Sequence, residues 1–202
     1  MKKFNFILWM ILPFVLMAGA KEIKLGAPAP DFTLRAADGK EYTLSDFKGK
    51  IVVLEWVNYG CPFVKKHYNT GNMQALQKKY TEQGVIWLSI CSSAPGKQGH
   101  YPPQKIKQLK KEKGAHYTAY LIDEQGIVGR QYGATTTPHM FIIDTKGNLV
   151  YAGAIDDQPS TKTATVKIAK NFVAETLDKM LSGKTVKPFM TTPYGCSVKY
   201  KK

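Results

Sequence analysis

The run KIVVLEWV, Lys50 to Val57, is apolar at nearly every position and rich in β-branched residues. Such a run leaves no solvated face. It predicts a strand buried on both sides in the middle of a sheet, rather than the alternating strand of a half-exposed hairpin. The next residues constrain the chain further. Asn58-Tyr59-Gly60 favours a turn, Cys61 stands at its end, and Pro62 suits the first position of a helix. A buried strand that gives way at once to a helix is the repeating unit of an open α/β sheet. In such sheets ligands gather at the carboxyl ends of the strands.

The remaining patterns agree with that class. Phe32 and Leu34, then Tyr42 and Leu44, flank Asp38-Gly39 and predict a β-hairpin. A helix is expected from Pro62 to about Tyr80, with Val64, Tyr68, Met73, Leu76 and Tyr80 inward. Val85 to Cys91 reads as a second buried strand. The loop SAPGKQGHYPP and a lysine-rich helix to about Lys113 come after it. TAYLIDE is a strand, GIVGRQYGA a short helix, and TTTPHMFIIDTKGNLVYAG a hairpin turning between Asp144 and Gly147. ATVKIAKNFVAETLDKML predicts one amphipathic helix, with Val166, Ile168, Phe172, Val173, Leu177 and Leu181 on or near one face. Alternating strands and helices closed by a hairpin and a helix mean an α/β fold with a mixed central sheet and helices on both faces.

The first residues, MKKFNFILWMILPFVLMAGA, carry two lysines, a short apolar stretch and a small-x-small ending. This predicts a cleavable export signal over residues 1–20 and a periplasmic destination. The apolar stretch is short against the roughly 20 residues a membrane span needs, so contact with a membrane is expected only through the export signal. Residues 21–186 then form one domain, and 187–202 a tail. Net charge is +14, from 29 Lys and Arg against 15 Asp and Glu. The lysines gather in KQLKKEKG and VKYKK without a nucleic-acid motif, which points to solvated faces and no nucleic-acid partner. Three cysteines are too few and too odd in number for a disulfide scaffold. In an oxidising compartment each is paired, buried or redox-active. Cys61 and His67 do not share a helix face, and His100, His116 and His139 are scattered, so no metal and no cofactor are expected.

Cys61 is the candidate nucleophile. The thiolate is the reactive form of cysteine, and free N–H groups and the dipole at a helix start stabilise it. Such sites lower a thiol pKa from about 8.5 to as little as about 3.5. Lys65, one turn on, adds positive charge; the alternative is an inert buried cysteine. Val64 stands where a dithiol turn would carry a second cysteine. Two partners are left. Cys91 ends the second buried strand, and Cys196 lies in the tail beside Gly195. A disulfide needs Cα atoms within about 7 Å, a condition a mobile segment meets more easily. The tail PFMTTPYGCSVKY is rich in aromatic and apolar residues. Phe189, Tyr194, Val198 and Tyr200 are expected to dock and to bring Cys196 towards Cys61.

These residues carry a family resemblance. APDFTLRAADGKEYTLSDFKGKIVVLEW resembles the beginning of the alkyl hydroperoxide reductase / thiol-specific antioxidant superfamily, and TTTPHMFIIDTKGNLVYAG resembles the proline loop and hairpin of thioredoxin-like proteins. CPFVKKHY, SICSSAPGKQG, GAIDD and PYGCSVKY together resemble one branch, the exported thioredoxin-like or peroxiredoxin-like proteins, over Ala27 to Tyr200. The resemblance implies a thioredoxin fold of the peroxiredoxin-like type with an N-terminal β-hairpin extension. It implies a cis peptide before Pro138, with Thr137, Pro138 and Pro62 beside Cys61 where a substrate chain docks. It also implies a proton-accepting role for Glu55, beside the alternative of a structural carboxylate. His139 is either a titrating group there or simply the start of a strand. Cys61 takes the first position of the thioredoxin C-x-x-C, whereas the peroxiredoxin cysteine takes the second, here Val64. The peroxiredoxin arginine has no counterpart in TPHMFIID. The implied activity is a thiol-disulfide oxidoreductase acting on protein disulfides or oxidised thiols and recycled by a dithiol donor. The alternatives are a thiol-dependent peroxidase and a redox-inactive binding module built on the Pro138 loop.

Overall fold

All five residues from Val52 to Trp56 are buried, and each pairs with a neighbour on both sides. The structure is a computed structural model that describes residues 23–202; the expected export signal lies outside the described residues. The chain runs β1 (Thr33–Arg35), β2 (Glu41–Thr43), β3 (Val52–Trp56), α1 (Pro62–Asn69), α2 (Asn72–Thr81), β4 (Ile86–Cys91), α3 (Pro103–Lys113) and β5 (Ala119–Ile122). It continues with α4 (Ile127–Gln131), β6 (Thr136–Thr137), β7 (His139–Ile143), β8 (Leu149–Gly153), α5 (Phe172–Leu181), β9 (Phe189–Met190) and β10 (Cys196–Ser197).

The main sheet has the order β5-β4-β3-β7-β8-β9. β3, β4 and β5 are parallel, which requires helical crossovers, and α1–α2 and α3 supply them. β7 and β8 form the antiparallel hairpin that closes the sheet beside β3. On one face Val53, Trp87 and Ile142 pack against Val64, Met73, Ile106, Val173 and Leu177, drawn from α1, α2, α3 and α5. On the other, Leu54, Trp56 and Ile90 meet Phe32, Leu44, Val128 and Tyr132, so the β1–β2 hairpin and α4 cover that side. The rings of Trp56, Tyr132 and Phe141 lie 5.1–5.5 Å apart and fill its centre.

Two helices differ from the sequence expectation. The helix after Cys61 is broken in two at Gly71, which takes a φ of +75°. The Thr70 hydroxyl turns back onto the Lys66 carbonyl at 2.8 Å and ends α1 there. The second helix begins at Phe172 rather than near Ala164. Asn171 caps it, its side-chain oxygen accepting from the Ala174 N–H at 2.8 Å. Residues Thr163–Ile168 form a 3₁₀ turn instead, and Ile168, expected inward, is 76% exposed.

This start site makes a prediction. Asn171→Ala should lower unfolding free energy by about 1 kcal/mol in urea titration, the usual cost of losing a side-chain cap. Ile168→Ser should change it by less than about 0.5 kcal/mol, as an exposed position does. A continuous helix from Ala164 would reverse that ranking.

Candidate active site

The turn after β3 is tied by the side chain of Asn58. Its carbonyl oxygen accepts from the Gly60 N–H at 2.8 Å, and its amide donates to the Gln98 carbonyl at 3.1 Å. The Cys61 N–H closes the turn on the Asn58 carbonyl at 2.9 Å. Cys61 is thus delivered to the N-cap of α1 with Pro62 at the first helical position, and its side chain is fully buried. Val64 is buried in the same cluster, on the next inward position of α1. The thiol donates to the Thr137 carbonyl at 3.1 Å, and the Thr137–Pro138 peptide is cis.

The tail is docked along its length. β9 pairs parallel with β8 as the edge strand of the main sheet. The Thr191 hydroxyl lies 2.7 Å from Tyr151 Oη and accepts from the Ala154 N–H at 3.0 Å. The chain then crosses to the proline loop, where β10 pairs antiparallel with β6 and Cys196 stands opposite Thr137. Gly195 takes a φ of +146°, and a Cβ there would collide with the Thr137 carbonyl. Only glycine passes so close to that peptide. Beyond, the Val198 N–H bonds to the Thr135 carbonyl at 3.0 Å, and Tyr200 donates to the Ala134 carbonyl at 2.6 Å beneath Arg130.

Thr137 therefore adjoins both cysteines, and the two thiols face each other. Burial pushes the Cys61 thiol up, but contact with the Cys196 thiol, the Val64 and Cys196 N–H groups and Thr137 outweighs it. The net shift is downward. For Cys196 burial and the neighbouring Cys61 act in the same direction and raise its pKa. The pair is asymmetric: the Cys61 thiol is shifted towards easier ionisation and the Cys196 thiol away from it.

The other sequence candidates fall elsewhere. Cys91 donates to the Gly99 carbonyl at 3.3 Å and shares its surroundings with Tyr101, Ile106 and Tyr120, on the β4–β5 side of the sheet. Glu55 is fully buried within β3 and accepts from Tyr68 at 3.2 Å, Gln77 at 3.0 Å, Trp87 at 2.8 Å and Ser89 at 3.0 Å. Burial raises its pKa against the pull of these four donors, and no thiol is among its hydrogen-bond partners. His139 accepts from the Thr135 N–H at 3.4 Å and stacks near Phe141, and burial lowers its pKa to about 4. It stays neutral and serves as the first residue of a strand. Lys65, expected to lend charge, is exposed. Among the described residues no group of three His, Cys, Asp or Glu side chains is placed to hold a metal ion.

The sequence did not single out Lys66 or Asp156, weighed His67 only as a metal ligand, and marked Tyr194 only as a docking residue of the tail. These four meet beside the cysteines. Lys66 and His67 are buried on α1, and the Tyr194 hydroxyl donates to Asp156 Oδ1 at 2.5 Å while lying 3.1 Å from Lys66 Nζ and 3.2 Å from His67 Nε2. Burial lowers the Lys66 pKa against the charge of Asp156. Burial, with Lys66 adding to it, lowers that of His67 to about 3. The one signal for the cluster was compositional, an acidic GAIDD and an aromatic PYGC beside the second cysteine.

Comparison with known proteins places this geometry in context. A model of the Redoxin family matches residues 24–171. The thiol-disulfide oxidoreductase ResA of Bacillus cereus is 26% identical over 163 residues, covering 74% of this chain and 88% of that protein. A probable phospholipid hydroperoxide glutathione peroxidase of Solanum lycopersicum is 27% identical over 153 residues, covering 57% of this chain and 89% of that protein. The crystal structure of an uncharacterized conserved protein from Geobacillus kaustophilus superposes with a TM-score of 0.73 at 29% identity, covering 89% of this chain and 93% of that one.

The electrostatics of the pair is testable. Replacing Cys196 by Ala removes the thiol that faces Cys61, and the Cys61 pKa should rise. In a Cys91→Ser background, ultraviolet thiolate absorbance against pH should move to a higher midpoint in Cys196→Ala than in Cys196→Ser, whose hydroxyl still donates. Equal midpoints would remove Cys196 from the environment of Cys61.

Proposed function

Since the chain belongs to the Redoxin family, and its fold and relatives mark it as a thioredoxin-like redox protein, we propose that it is a periplasmic thiol-disulfide oxidoreductase. Its substrates are protein disulfides or oxidised thiols. The observation that carries this reading is the pairing of Cys196 with Thr137, which holds a second thiol against the thiol at the start of α1. The export pattern of residues 1–20 supports the location.

The chemistry is two successive exchanges. The Cys61 thiolate attacks one sulfur of a substrate disulfide. That S–S bond breaks, its other sulfur leaves as a thiolate and takes a proton, and Cys61 is joined to the substrate. Cys196 then gives up its proton and attacks the Cys61 sulfur. The substrate's second sulfur leaves and is protonated, and a Cys61–Cys196 disulfide remains. Two electrons have passed to the substrate, and an external dithiol donor restores the enzyme. Cys61 is buried beneath the tail, so the first exchange requires β10 to lift from Thr136–Thr137. That same strand edge is where an extended partner chain pairs.

A second reading is favoured by the likeness to the probable hydroperoxide glutathione peroxidase. Peroxide would oxidise Cys61 to a sulfenic acid, and Cys196 would condense with it, releasing water. Both arginines are engaged elsewhere, Arg35 on the Gly39 carbonyl and Arg130 on the Lys201 carbonyl. Neither serves Cys61.

Insulin reduction with a dithiol donor tests the first reading. Cys61→Ser should abolish it, and Cys196→Ser should accumulate substrate joined to Cys61, visible on non-reducing gels. Equal rates in wild type and Cys61→Ser would remove Cys61 from the mechanism. Peroxide that oxidised Cys61 much faster than a free thiol would shift the assignment to the peroxidase.

A further inference from the structure

Resting on the thiol-exchange reading, the geometry points to a further role: Lys66, His67 and Asp156 form a hydroxyl-binding latch for Tyr194, and Tyr194 is the positioning residue that sets Cys196 against Cys61. The latch is built around one oxygen. The Asn72 amide donates to His67 Nδ1 at 2.8 Å, which leaves the proton of the neutral ring on Nε2, facing Tyr194. The Tyr194 oxygen thus accepts from His67 and from Lys66 and donates to Asp156, which exhausts its capacity. Gln158 completes the frame: its N–H donates to Asp156 Oδ1 at 2.9 Å, and its carbonyl accepts from Lys66 at 2.9 Å.

Without that hydroxyl no direct hydrogen bond joins Lys66 or the neutral His67 to Asp156. Lys66 Nζ is 4.0 Å from Asp156 Oδ1, and His67 Nε2 is 3.9 Å from Asp156 Oδ2, beyond hydrogen-bond length. Among the described residues Asp156 Oδ2 is buried with no hydrogen-bond partner. Buried charge that is under-satisfied is unfavourable, so a phenol that bridges the set is held firmly. Its ring is fixed as well, 5.7 Å from the Phe63 ring and 5.0 Å from Lys66 Nζ. Both basic residues sit on α1, the helix that carries Cys61 at its start. Between latch and thiol lies only Gly195, closely packed on Thr137. Fixing Tyr194 therefore fixes Cys196 relative to Cys61, and releasing it frees the strand edge.

The test is the glutathione-buffered equilibrium of the Cys61–Cys196 disulfide in the mature chain carrying Cys91→Ser, read by acid quench and mass spectrometry. Tyr194→Phe keeps the ring and removes the bridging oxygen. It should lower the effective concentration of Cys196 at Cys61 about tenfold, the scale of one hydrogen bond to charged groups. Tyr200→Phe also removes a tail hydroxyl bond but does not touch the latch, and should stay within about twofold of the parent. A Tyr194→Phe value within that same range, or an equal fall in Tyr200→Phe, overturns the latch. Hydrogen exchange at the Val198 amide gives an independent reading: it should quicken in Tyr194→Phe well beyond Tyr200→Phe, and equal protection overturns the proposal. A parent that forms no Cys61–Cys196 disulfide refutes the exchange reading, while the Val198 measurement still decides the latch.

Discussion

One peptide carbonyl organises this site. The oxygen of Thr137 accepts the Cys61 thiol, and the backbone of the same residue pairs with Cys196. A thiol at the end of a side chain and a thiol on a separate strand are thereby referred to a single fixed point. The fixed point is rigid because His139, the residue after Pro138, starts a strand whose five residues are all buried in the main sheet. Cys61 is equally constrained, since the turn that carries it is tied at Asn58 and continues directly from β3. The sheet thus sets the distance between the nucleophile and the loop, and the tail has only to find its register on that loop.

Glu55 shows how far the scaffold goes to hold these parts. A carboxylate in the centre of a buried strand is unfavourable unless its lone pairs are filled. Here Tyr68 of α1, Gln77 of α2, and Trp87 and Ser89 of β4 all donate to it. The one acidic side chain therefore joins the nucleophile's helix to the two central strands. Gln77 also accepts the His116 N–H at 2.8 Å and extends the network to the segment before β5. Its connections describe an anchor for α1, the helix that carries Cys61 at its start.

The strands, the crossovers and the place of Cys61 were legible because each rests on local patterns: continuous apolar runs, turn residues and a proline at a helix start. The break at Gly71 was not, because Val64, Tyr68, Met73 and Leu76 keep inward spacing across it. The shortened final helix was missed for a related reason. Val166 and Ile168 extend the apolar periodicity, but Asn171 supplies a stronger start signal three residues before the Ala174 amide it caps. The docked tail was readable from its aromatic content. The burial of Lys66 was not, because a lysine in KKHY reads as solvated until Asp156 and Tyr194 arrive from elsewhere in the chain. Proximity between distant polar residues has no local signature, and that is where most of this site resides.

The position of Val64 then has a physical meaning. A second cysteine there would keep both sulfurs on one turn of α1, permanently paired in space. Moving it to residue 196 places it on a two-residue strand that occupies the very edge a partner chain would use. In the proposed exchange the tail and the substrate cannot pair with Thr136–Thr137 together. Entry of the substrate means departure of Cys196, which protects the mixed disulfide from premature resolution. Return of Cys196 means departure of the substrate backbone, so resolution and product release become one movement. Linking the tail to the domain through β9 keeps its effective concentration high. The return is therefore unimolecular, and its rate depends on how readily a glycine and a tyrosine re-seat rather than on a second collision.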